Sequence, residues 1–132
     1  MRIEAHRRNL KESTMTLRES VERGLMERQR NVGFHTSAGM CDMLEMLLHE
    51  KNLIDPGSSI KHEWFSSRKA VDERLPFDFP MKNEIIEMMM RIESKRNILC
   101  YGKQQTEEFI QEAIDDFNLL VSKFKEAGLH EI

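Results

Sequence analysis

The sequence predicts an all-α protein, an up-and-down bundle of about five helices. Three observations predict it. Apolar residues recur at helical spacing in five segments. Helix formers such as Glu, Lys, Leu and Met outweigh β-branched residues. Only three prolines and six glycines interrupt the chain, so helices can run long.

In the first segment Ile3, Leu10, Leu17, Val21 and Leu25 predict a helix over residues 2–30. Its other faces carry Arg7, Arg8, Lys11, Arg18, Arg23 and Arg28 among glutamates, the pattern of a solvated face with i,i+4 pairs. Gly33 breaks or bends that pattern. Met40, Met43, Leu44, Leu47 and Leu48 then predict a second helix over 34–51, stopped by Asn52 and the turn Asp-Pro-Gly-Ser at 55–58. Ile60, Trp64, Val71 and Leu75 predict a third over 59–75. The stretch P-F-D-F-P at 76–80 is an extended connector, because the residue before each proline is pushed away from helix. At least one of Phe77 and Phe79 staples it to the core.

The fourth helix spans 81–101, with Met81, Ile85, Met88, Met89, Ile92 and Leu99 in one stripe and Gly102 as a left-handed cap. The fifth spans 106–127. Its seam is Ile110, Ala113, Ile114, Phe117, Val121 and Phe124, with Glu107 and Glu108 at the positive end of its dipole.

Composition narrows the function. A chain of 132 residues supports one core. The formal net charge of −3 excludes a global basic field, so any anion site is local. Cys41 and Cys100 lie in apolar helical surroundings and read as reduced thiols. The ten methionines read as adaptable core filler. No apolar leader core and no span of about 20 apolar residues is present, which predicts a cytoplasmic protein without membrane contact. Without a His-x-x-x-His, Cys-x-x-Cys or Walker spacing, no metal and no cofactor is expected.

One residue departs from the pattern. In K-R-N-I-L-C-Y-G, residues 95–102, Arg96 falls inside the apolar stripe of the fourth helix. A guanidinium stays charged, and burying it unpaired is costly. Either Arg96 snorkels or pairs with a carboxylate such as Glu93, or it lines a cleft where a phosphate supplies the missing charge. Asn97 and Tyr101 share a neighbouring face, and Lys95 and Lys103 flank the helix end, whose dipole repels anions. His62, beside Lys61, is either a surface histidine or an acid/base group brought to the Arg96 end from elsewhere.

The run R-N-I-L-C-Y-G followed by K-Q-Q-T-E-E-F-I-Q-E-A-I resembles the end of the HEPN domain (higher eukaryotes and prokaryotes nucleotide-binding). The helical order of most of the chain is similar too, including S-A-G-M-C-D-M-L-E-M-L-L-H-E-K and the Trp-containing third helix. The resemblance implies one HEPN-like domain over residues 1–132. It implies an RNA or nucleotide phosphate binder, extending to a weak or degenerate metal-independent ribonuclease. Arg96 and Asn97 match the motif residues that handle the phosphate, and Tyr101 stands where a four-residue spacing would put the motif histidine. Lys95, Lys103, Lys61 and His62 complete the expected ligand-binding set. Tyr101 is a departure, because a phenol with a pKa near 10 is a poor general base. The alternative is a non-catalytic module that partners a minimal nucleotidyltransferase, as in a toxin–antitoxin pair. A homodimer is expected as well, since Ile86 and Met90 form a second apolar line on the fourth helix with Asn97 and Tyr101.

Overall fold

The computed structural model describes residues 2–130 and residue 132. Five α-helices form an all-α bundle: α1 Ile3–Arg23, α2 Gln29–Glu50, α3 Arg68–Arg74, α4 Lys82–Tyr101 and α5 Glu107–Glu126. Among the described residues there is no strand, and no helix is long and apolar enough to cross a membrane.

α1 stops well before residue 30. Gly24 takes a φ of 121°, which glycine tolerates and other residues rarely adopt, and its N–H closes the helix on the Ser20 carbonyl at 3.1 Å. The chain turns through a short 3-10 segment, Met26–Arg28, and α2 begins at Gln29. α1 and α2 lie antiparallel, with His6 meeting Asp42 and Ser13 meeting His35. The α1 seam alternates steps of three and four: Ile3, His6, Leu10, Ser13, Leu17, Ser20. Val21, expected in the stripe, is exposed. Ser20 takes the seam position because its hydroxyl can donate to the Thr16 carbonyl at 2.9 Å and needs no outside partner.

α2 is the central helix, packed by α1, α4 and α5. Its residues from Met43 to Leu48 are buried without a break, as a helix enclosed on all sides requires. Gly33 does not interrupt it. A Cβ there would lie 2.8 Å from Leu99 Cβ and 2.9 Å from Cys100 Sγ, so the missing side chain lets α4 approach. Gly39 does the same for α5, where a Cβ would lie 2.7 Å from the Phe117 ring.

The expected third helix is split. His62–Ser66 is a 3-10 turn, and Ser67 is extended and caps α3 by accepting the Ala70 N–H at 3.3 Å. Phe79 is buried and Phe77 half-buried, so both hold the connector to the core. Lys82 Nζ donates to the Leu75 and Phe77 carbonyls at 2.9 and 2.7 Å and fixes its path.

On α4 the predicted stripe is buried from Ile85 to Leu99. Ile86 is also completely buried and Met90 is half-buried against the core. The apolar surplus that motivates a homodimer is thus covered within one chain, by α2, α5 and the 3-10 turn. Gly102 has φ −87°, not a left-handed value. Glycine is needed there for space, since a Cβ would lie 2.6 Å from the Ile98 carbonyl oxygen. Thr106 caps α5 by accepting the Phe109 N–H at 3.2 Å.

Candidate functional site

Arg96 lies on the last turns of α4, half-buried, in the wall between two grooves of about 360 Å³ each. Among the described residues, no carboxylate is within ion-pair distance of its guanidinium. The group lies over the Tyr101 ring instead, 5.9 Å from the centroid. Glu93, the expected structural partner, bonds elsewhere. Its oxygens lie 3.0 Å from His62 Nδ1.

The first groove places Lys61, His62 and Glu63 beside Arg96, with Phe34 and Cys41 opposite on α2. The sequence alternative in which Lys61 and His62 come to the Arg96 end is the arrangement found. The split of the third helix makes it possible, because the 3-10 turn starts at His62 and turns that ring toward α4. His62 Nε2 also reaches Glu63 Oε1 at 2.7 Å. Glu93 is buried, and burial raises its carboxyl pKa against the opposing effects of the His62 hydrogen bond, the His62 charge and the Arg96 charge. The result is an imidazole backed by a carboxylate and open to the groove on one side. Burial also pushes the Cys41 thiol up, with Asp42, Glu45, Glu93 and Glu63 adding to the shift, so Cys41 is no nucleophile at neutral pH.

The second groove joins Arg96, Tyr101 and Cys100 of α4 to Arg30, Asn31 and Phe34 of α2. Tyr101 is 74% exposed and Phe34 52% exposed, so two aromatic faces and two guanidinium groups border one depression. Sequence reasoning missed Arg30, Asn31 and Phe34. Phe34 follows Arg30 by four residues and Asn31 by three, which would have shown a shared face had α2 been taken to begin at Gln29 rather than 34.

Three expected residues lie elsewhere. Lys95 Nζ sits 2.5 Å from Asp116 Oδ2 of α5, and Arg91 approaches the other oxygen at 3.5 Å. Lys95 is therefore spent on joining α4 to α5, because a buried carboxylate at that crossing demands a cation. Asn97 and Lys103 are exposed and line neither groove. The loop after α4 is held by a residue that no motif flags. Buried Gln29 donates to the Leu99 and Lys103 carbonyls at 3.2 and 3.1 Å, and its own oxygen accepts from Gln104 Nε2 and the Gln105 N–H. That bonding pins residues 99–105 to the start of α2.

No protein-family model, curated protein or solved structure matches the chain. The family resemblance rests on the α4 motif and the helix order.

Proposed function

We propose that the chain is a HEPN-like protein that binds a nucleotide or RNA phosphate on Arg96. The observation that carries this is a half-buried guanidinium in a groove wall with no carboxylate at ion-pair distance among the described residues. A phosphate oxygen pair matches its planar donors, and charge-assisted bonds of this kind are the strong ones. Phe34 and Tyr101 offer stacking faces for bases, and Arg30 offers a second phosphate contact. Cleavage, where it occurs, draws on His62 rather than Tyr101. His62 shares the Arg96 groove and its Nδ1 is held by Glu93, so Nε2 is the atom free to exchange a proton once Glu63, which is exposed, moves aside. Tyr101→His then adds a second imidazole next to Arg96 and raises cleavage.

The partner-module alternative draws on the absent motif histidine and on Ile98, Phe34 and Tyr101, all exposed near the Arg96 end. The two readings separate on one experiment, an NMR titration with nucleoside monophosphate. Binding shifts the amides of residues 30–34, 61–63 and 96–103 and leaves those at the far end of α5 in place. Absence of shifts at millimolar nucleotide, or shifts spread without preference, overturns the phosphate reading.

A further inference from the structure

A second group of ionisable side chains lies where the first turns of α1 meet the latter half of α2. Asp42, Glu45 and His49 come from successive turns of α2, and their spacing of three and four puts them on one face. His6 of α1 packs against that face and is 3% exposed.

The bonding assigns the two imidazole nitrogens different jobs. His6 Nδ1 lies 2.7 Å from Asp42 Oδ1, a hydrogen bond in which Nδ1 donates when the ring proton sits on that side. In that tautomer Nε2 carries a lone pair, and it lies against Glu45 Oε2 at ion-pair distance without hydrogen-bond geometry, a contact that needs a cation, either a proton or a metal ion, between the two. The other Glu45 oxygen is already fixed, accepting the Ile60 N–H at 2.6 Å. The His49 ring stacks on His6 with centroids 6.3 Å apart, and its Nε2 is likewise buried without a hydrogen-bond partner. Two bare imidazole nitrogens beside a carboxylate oxygen form a Lewis-base set.

From this geometry we propose that His6 Nε2, Glu45 Oε2 and His49 Nε2 bind one divalent transition-metal ion of the zinc type, with Asp42 as a positioning residue behind His6. The ligand-capable atoms of His6, Asp42 and Glu45 lie within 4.8 Å of one another. In the proposed site the His49 ring, stacked on His6, turns about its side-chain bonds to supply the third ligand. Two imidazoles and a carboxylate suit zinc, with the fourth position left to water. A carboxylate on the far nitrogen of a ligating histidine is the usual orienting device. Charge points the same way. With neutral imidazoles the cluster holds two buried carboxylates, and one dication cancels both. The spacing search could not find this set, because its ligands come from two helices and no His-x-x-x-His is present.

The competing account is an ion triad in which a protonated His6 bridges both carboxylates and no metal binds. Competition between the full chain and a chromophoric chelator for Zn²⁺, with Co²⁺ spectra in parallel, separates the two. The expected result is one Zn²⁺ per chain and a Co²⁺ complex with the visible absorption of a four-coordinate centre. His49→Ala and Glu45→Gln each weaken Zn²⁺ binding by about 100-fold or more, and Asp42→Asn weakens it by about 10–100-fold. Glu45→Gln keeps an oxygen for Ile60. Should it fail to fold, His49→Ala, at the half-buried end of α2, decides the matter alone. Far less than one Zn²⁺ per wild-type chain, or wild-type affinity in the His49→Ala chain, overturns the proposal.

Discussion

Two histidine–carboxylate clusters, around His6 and around His62, lie among the described residues, and their surroundings differ. The His6 side chain is 4% exposed and lies between Asp42 and Glu45, whose side chains are 13% and 4% exposed. The His62 side chain is 29% exposed, backed by buried Glu93 and open to the groove that Arg96 lines. The closed cluster can only hold helices together or hold an ion. The open one can meet a ligand. Chemically similar groups are thus given different work by access to water, not by residue type.

The largest expected effect is on the closed side. His6→Leu in metal-free protein removes the imidazole between Asp42 and Glu45 and leaves Glu45 with the Ile60 N–H alone, which costs about 3–5 kcal/mol. Urea unfolding checks this, and a loss below about 1 kcal/mol would show that water reaches the cluster. Next comes the helix crossing that positions the open side. Gly33→Ala forces a methyl against Leu99 and Cys100, which costs about 1–3 kcal/mol and displaces the end of α4. The same unfolding assay reads the loss, and phosphate binding falls with it.

A smaller effect sharpens the contrast through pH. Burial raises the Glu93 carboxyl above its ordinary value of 4.5, opposed by His62 and Arg96 and aided by Glu63. A carboxyl raised on folding contributes stability that is full below its unfolded value and lost as pH rises through the folded one. Wild type therefore loses stability relative to Glu93→Gln from about pH 4 upward. Urea midpoints of both proteins at pH 4 and pH 7 test the sign. A gain by wild type over that range would mean that the His62 pairing outweighs burial.

These clusters were unequally legible in the sequence. The α4 and α5 seams could be seen because their buried positions are apolar except for Glu93 and Asp116. Only half of the α1 seam, Ile3, Leu10 and Leu17, could be seen, because every second contact position is polar: His6, Ser13 and Ser20. A hydrophobic period cannot register a buried residue satisfied by a neighbour's carboxylate or carbonyl. The same limit concealed Glu45 and Gln29, whose burial depends on partners distant in the chain. Arg96 stood out for the opposite reason, as a charge in an apolar row. Its groove was inferable from that row, but Arg30 and Phe34 were not, because Gly33 looked like a break and is a close crossing. Lys95 showed the limit of counting nearby cations. Adjacent to Arg96 in sequence, it points to another helix and is neutralised there.

The central claim is that the unpaired guanidinium of Arg96 is the phosphate contact. Fluorescence anisotropy of a labelled single-stranded RNA oligomer, titrated with wild type, Arg96→Lys and Arg96→Ala, tests it most directly. Arg96→Ala loses about tenfold or more in affinity, in keeping with the about 1.5–3 kcal/mol of a charge-assisted bond. Arg96→Lys falls between the two, because it keeps the charge and loses the planar fork. Equal binding by all three folded proteins would contradict the account.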